Sequence, residues 1–274
     1  MFPVIVFPTI DPIAVEIGPL AVRWYALAYI AGILLGWKYA AHLAARLPKP
    51  IAPKIFDDFV IWATLGIILG GRLGYVIFYQ PTYFANNPAE ILMVWRGGMA
   101  FHGGLIGMVA ATWLFSQRHQ ISFLSLADAI CAAAPIGLFF GRVANFINGE
   151  LWGRVSDVPW AMVFPHADAA PRHPSQLYQA ALEGLLLLIL LAIAARMPAL
   201  RHRPGVLAGL FFAGYGIARS CAEIFREPDA HLGFLFAGIT MGQLLSVPMI
   251  LFGVGLVVML CRQKPATTET TAPK

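Results

Sequence analysis

Arg142, Asn145 and Asn148 recur every three residues within Gly141-Arg-Val-Ala-Asn-Phe-Ile-Asn-Gly-Glu-Leu-Trp-Gly153. On a helix they share one side, a cation with two amides, and Glu150 and Gly153 follow where the apolar run ends. Arg219, Glu223 and Arg226 fall at i, i+4 and i+7, which lines one face of a second helix. A guanidinium offers a planar fork of donors that grips a phosphate or carboxylate through two bonds. Histidine is the side chain best suited to take up a proton near neutral pH, and His102 stands ahead of Gly103 and Gly104. These residue types allow the binding of an anion beside a proton acceptor. Each also has a plainer reading: an Arg219–Glu223 ion pair that joins helices, a packed histidine, glycines that let helices approach.

The surroundings make the arginines informative. The 274 residues are 59% hydrophobic and only 12% charged, with a mean hydropathy of +0.71. Soluble domains carry about 25% charged residues. The apolar residues come in blocks of about 20, the length that crosses a hydrocarbon core, so a polytopic helical membrane protein is expected rather than a strand-built barrel. An arginine inside such a block costs roughly 2.5–3.5 kcal/mol, and Arg142 and Arg219 need a purpose. The net charge of +5 does not point to nucleic acid, because the cations sit mainly in loops without interleaved exposed aromatics. Cys131, Cys221 and Cys261 form no C-x-x-C pair. No disulfide framework, metal site or cofactor is expected.

The predicted architecture is an all-α bundle of seven transmembrane helices. Their approximate bounds are 18–41, 57–79, 97–117, 122–148, 175–196, 205–225 and 232–261. The first residues lack the basic start of a signal peptide and read as an arm leading into the first span. Residues 149–174 should form a small head outside the membrane, irregular with short strands, and the Thr/Pro-rich tail 266–274 should be disordered. Loops after the odd-numbered spans hold ten cations (Arg46, Lys49, Lys54, Arg118, Arg196, Arg201, Arg203, Arg262, Lys264 and Lys274). Loops on the other face hold four, Arg96, Arg154, Arg172 and Arg226. The positive-inside rule then puts the N-terminus outside and the C-terminus in the cytoplasm.

With that topology, Tyr25, Arg72, Tyr75, His102, Arg142, Asn145, Arg219 and Glu223 all fall in the outer halves of their spans. Polar groups at one depth predict a shared cavity opening toward the outer leaflet. Arg142 and Arg219 repel each other unless an anion sits between them, and a lipid headgroup phosphate is the anion at hand. Glu150 and Glu223 are expected to orient the arginines.

Several segments resemble the bacterial phosphatidylglycerol–prolipoprotein diacylglyceryl transferases. They are Gly71-Arg-Leu-Gly-Tyr75, Phe101-His-Gly-Gly-Leu-Ile-Gly107, the long motif 141–153, His173-Pro-Ser-Gln-Leu-Tyr178, Tyr215-Gly-Ile-Ala-Arg219, Glu223-Ile-Phe-Arg-Glu-Pro-Asp229 and Gly242-Gln-Leu-Leu-Ser-Val-Pro-Met249. Ala100 and Gln179 depart from the pattern, where Ser and Glu are common. The resemblance implies seven inner-membrane helices with arms, a periplasmic N-terminus, a small periplasmic head and a cytoplasmic C-terminus. It implies transfer of the diacylglyceryl group of phosphatidylglycerol to the lipobox cysteine of a prolipoprotein signal peptide, with release of glycerol phosphate. His102, Arg142 and Arg219 would be catalytic, and Tyr25, Asn145 and Gly153 would join the arginines in holding the lipid. Glu150 and Glu223 would support them, and Arg72, Tyr75 and Arg226 are expected to do so by their depth and helical spacing.

A lipid flippase would also need facing arginines, but with paired broken helices and polar groups in both membrane halves. An intramembrane protease would need a nucleophilic serine, paired carboxylates or a zinc motif, and none is found.

Overall fold

A computed structural model of the chain describes residues 5–8, 10–18, 20–228, 233–235 and 238–263. In chain order it shows β1 (Ile5–Val6), β2 (Ile13–Ile17), β3 (Leu20–Arg23), α1 (Trp24–Ala44), α2 (Pro53–Phe78), α3 (Pro81–Asn86), α4 (Phe101–His119), α5 (Phe123–Ile147) and β4 (Met162–Val163). Then come α6 (Ser175–Gln179), a π-helical segment (Ala180–Leu186), α7 (Leu187–Arg196), α8 (Pro198–Arg201), α9 (Val206–Glu223) and α10 (Met241–Cys261). The segment from Ser175 to Arg196 is one uninterrupted helix.

Most of the chain is helical, as expected, and among the described residues two small sheets accompany the helices, β4 in the head where short strands were expected and β1–β3 in the N-terminal segment where none were. Ile13–Ile17 pairs antiparallel with Leu20–Arg23, and β1 pairs parallel with β4. In the first sheet β2 lies in the expected arm, and β3 occupies residues expected to begin the first span. The strands of this sheet, Ile-Ala-Val-Glu-Ile and Leu-Ala-Val-Arg, carry the β-branched residues Ile13, Val15 and Val22, which suit a pleated surface. Gly18, with φ +60°, turns the chain between them. The last helix starts later than expected, at Met241, where Thr240 and Gln243 form a reciprocal capping box. Leu232 and the tail 266–274 lie outside the described residues.

Among the described residues, five helices are long and apolar enough to cross a membrane by length and composition: Trp24–Ala44, Pro53–Phe78, Phe123–Ile147, Ser175–Arg196 and Met241–Cys261. On α10, Leu244, Leu251, Phe252 and Val258 point outward. A lipid solvent accepts such a surface, which water would not.

By internal contact the chain forms two units, Ala41–Ala127, and Met1–Ala40 with Asp128–Lys274. In the first, α2 and α4 pack backbone against backbone. A Cβ at Gly66 would lie 2.6 Å from the Gly107 carbonyl oxygen, and one at Gly74 would lie 2.8 Å from Gly103 Cα. Small residues at this spacing let helices associate where lipid removes the hydrophobic drive. In the second unit, α9 and α10 meet through Gly209, Gly216 and Gly253.

Candidate active site

Three helices of the unit Met1–Ala40 with Asp128–Lys274 build a charged centre. Arg142 comes from α5, Glu183 from the π-helical segment, and Arg219 and Glu223 from α9. Glu183 is fully buried. Its Oε2 accepts from Arg142 Nε at 3.3 Å and Nη2 at 3.2 Å, and its Oε1 accepts from Arg219 Nη1 at 3.4 Å. A carboxylate of the chain itself therefore stands between the two arginines. Sequence reasoning missed Glu183, although a lone acid in Ala180-Ala-Leu-Glu-Gly-Leu-Leu186 carries the same signal as a buried arginine.

Glu223 completes the network. Its Oε1 lies 2.5 Å from Arg219 Nη2 and 3.5 Å from Arg226 Nη1. Thr240 Oγ1 donates to its Oε2 at 2.7 Å. A Cβ at Gly242 would lie 2.6 Å from Glu223 Cδ, so the start of α10 clamps this carboxylate. Three guanidiniums and two carboxylates leave one formal positive charge. Arg142 and Arg219 remain 17% and 13% exposed at the side chain, so donors not spent on Glu183 and Glu223 can meet a ligand. Tyr215, one turn before Arg219, lies within electrostatic reach of Glu183, Glu223 and both arginines.

Asn145 Nδ2 donates to Glu150 Oε1 at 2.8 Å. The expectation that Glu150 orients an arginine is thereby corrected: α5 ends at Ile147, Gly149 turns the chain at φ +64°, and Glu150 folds back over its last turn. Tyr25, Arg23, Pro12, Asn148 and Glu150 line an open cleft. The Tyr25 hydroxyl lies 3.4 Å from that of Tyr29.

Gly153 is required by packing. Its N–H donates to the His173 carbonyl at 2.9 Å, and a Cβ there would lie 2.7 Å from His173 Cβ. Around it the head segment is strapped to the end of α9. Arg154 donates to the carbonyls of Arg226 at 3.0 Å and Glu223 at 3.2 Å, satisfying acceptors the helix leaves free. Arg172 pairs with Asp168 at 2.8 Å and Glu227 at 3.1 Å. The Arg172 guanidinium holds the Asp168 carboxyl below its ordinary range, and burial pushes the His173 imidazole down.

Arg72, Tyr75 and His102 belong to the unit Ala41–Ala127 and are described within it. Arg72 donates from Nε to Ile91 O at 2.8 Å, from Nη1 to Gly97 O at 2.6 Å and Gly98 O at 3.2 Å, and from Nη2 to Glu90 O at 2.6 Å. Backbone carbonyls occupy all three nitrogens, so Arg72 holds the 88–98 loop. Tyr75 stacks on Tyr79 with ring centroids 5.4 Å apart. His102 is the second residue of α4, exposed, with its ring edge-on to Phe101.

Comparison with known proteins then decides the family. The family model for prolipoprotein diacylglyceryl transferase matches residues 12–259. The chain belongs to this family. A relative from Azospirillum brasilense, named phosphatidylglycerol--prolipoprotein diacylglyceryl transferase, is 60% identical over 264 residues, covering 96% of this chain and 98% of the relative. A protein of the same name from Paramagnetospirillum magneticum is 57% identical over 258 residues, covering 94% and 96%. Like the family, this chain is a multi-pass membrane protein. Arg142, Glu183, Arg219 and Glu223 all fall within the region matched to the family.

Proposed function

We propose that the protein transfers the diacylglyceryl group of phosphatidylglycerol to a prolipoprotein, the transfer its relatives are named for, and that the acceptor is the thiol of a lipobox cysteine in the signal peptide. The observation that carries this reading is the pair of arginines tethered to one buried carboxylate, with donors to spare and one net positive charge. A phosphodiester carries one negative charge, so it neutralises that excess.

Sulfur bonds to the glyceryl carbon, the carbon–oxygen bond to phosphate breaks, and the electron pair goes to the phosphate oxygen. Charge develops on that oxygen, where fixed guanidinium donors lower the barrier most. Arg142 and Arg219 take this part. Glu183 and Glu223 keep them from turning away, and Asn145, held by Glu150, donates to the headgroup. Tyr25 completes the lipid contact, and Gly153, whose N–H is spent on the His173 carbonyl, serves it by letting the head pack closely against the end of α9. A thiol with an ordinary pKa near 8.5 attacks poorly until deprotonated. His102 is assigned that proton, and the leaving glycerol phosphate takes up one in exchange. Arg72 and Tyr75 support the fold of their own unit.

The same reading places seven helices across the bacterial inner membrane, the N-terminus and the 149–174 head in the periplasm, the C-terminus in the cytoplasm and the reaction near the outer leaflet. The loop cations support this orientation.

The test is to incubate purified protein with phosphatidylglycerol and a lipobox peptide and to weigh the peptide. A mass gain of one diacylglyceryl group, absent when the cysteine is replaced by serine, is expected. An unmodified peptide would sink the reading.

A further inference from the structure

The helix from Ser175 carries a polar row that the arginine centre does not use up. Gln176, Gln179 and Glu183 recur at intervals of three and four, so they share one face, and all three are fully buried. The ends of the row are anchored. Gln176 Nε2 donates to the Glu150 carbonyl at 2.6 Å, and Glu183 receives both arginines. Between them, neither Nε2 nor Oε1 of Gln179 has a hydrogen-bond partner among the described residues, and Oε1 of Gln176 has none there either.

An amide presents an acceptor oxygen and two N–H donors, and burying one unpaired is costly, most of all at membrane depth. A leucine or methionine would fill the same space without that cost. The ligand chemistry that satisfies such a pair is a hydroxyl, which donates and accepts through one atom. The row is also held rigidly. A Cβ at Gly184 would lie 2.7 Å from Phe139 Cβ, which locks the segment against α5, the helix of Arg142 and Asn145.

We propose that Gln176 and Gln179 form a hydroxyl-binding subsite beside the arginine–glutamate centre, and that it grips the headgroup glycerol of the lipid. This rests on the transferase reading above. A phosphate at Arg142 and Arg219 leaves the headgroup about one helical turn, roughly 5–6 Å, from Gln179. Water is the other source of a hydroxyl, and the experiment separates the two.

Full-length protein is assayed with a lipobox peptide and either phosphatidylglycerol or phosphatidylpropanol, which keeps the phosphodiester and lacks headgroup hydroxyls. The wild type should prefer phosphatidylglycerol at least tenfold in kcat/KM. In Gln179→Leu and Gln179→Met that preference should collapse toward unity. The melting temperature without lipid should hold or rise, because no hydrogen bond is lost. An equal fall on both lipids would overturn the headgroup assignment in favour of water. Kinetics unchanged on both lipids, or a fall in melting temperature, would overturn the subsite. No transfer by the wild type from phosphatidylglycerol would instead strike the transferase reading itself.

Discussion

Arg72 and Arg142 are the same residue type, each largely buried in an apolar helix, yet their surroundings assign them opposite work. Arg72 spends every nitrogen on carbonyls of the 88–98 loop and lies over the Phe84 ring. Arg142 reaches a single carboxylate oxygen, through Nε and Nη2, and that carboxylate is shared with Arg219. A guanidinium with every nitrogen engaged is a structural rivet, whereas one anchored at its edge can still grip a ligand. Burial alone does not separate the two roles; the count of donors left over does.

The sharpest way to break this contrast is to truncate both. Arg72→Ala leaves several carbonyls without a donor. Hydrogen bonds to a charged group contribute roughly 1.5–3 kcal/mol each and do not add fully, so a loss of about 3–5 kcal/mol is expected. Thermal melting in detergent should show it, with transfer per folded molecule largely kept. Arg142→Ala should do the reverse. Transfer should fall by about 10²–10³, equivalent to about 2.7–4 kcal/mol of barrier, with a much smaller change in melting temperature. If Arg72→Ala proves inactive but stable, the contrast is wrong.

Glu183→Gln sharpens the comparison from the other side. The amide keeps the shape but removes the charge that lets two guanidiniums share one anchor. Transfer should drop about 10–100-fold, about 1.4–2.8 kcal/mol. Measured as kcat against KM, the loss should appear mainly in kcat, because the arginines stay attractive to phosphate but lose their aim. A variant with wild-type kcat would reduce Glu183 to a packing residue.

Much of this was legible in the residues themselves. The 3.6-residue period placed Arg219 with Glu223 and Arg142 with Asn145, since each relation lies within one helix or its last turn. What spacing could not give were relations between distant segments. Glu183 sits 41 residues from Arg142, and nothing local connects them. Arg72 illustrates the opposite error: a buried arginine invites a functional reading, and only the fold reveals that a loop about 20 residues away uses it up. The hairpin before α1 was hidden because its strands are as apolar as the helix that follows. Glu150 misled because a turn at Gly149 reverses the chain onto Asn145.

The smallest expected effect concerns the head, where the carboxylate partners Asp168 and Glu227 face solvent at 55% and 46% exposure while Arg172 itself is only 12% exposed, and it extends the comparison to a third kind of arginine. Arg172 binds Asp168 and Glu227 in partial contact with water, so its bonds should matter little to global stability and more to local order. Two titrations set the pH dependence. Burial lowers the folded pKa of His173, so folded protein binds its proton less readily than unfolded chain does. That contribution to stability is complete above the ordinary histidine value, about 6.5, and is lost as pH falls from there through the lowered value. The Asp168 value is depressed by Arg172, so its contribution is present above the ordinary carboxylate value, about 3.9, and is lost only as pH falls through the depressed value. Acid should therefore loosen the head in two stages, histidine first. Trp152 and Trp160 fluorescence followed against pH should show both stages. Asp168→Asn should remove the lower stage and spare the upper one, and His173→Gln the reverse. A single transition unaffected by either change would mean that the strap to α9 is held by the backbone bonds at Gly153 and Arg154 alone.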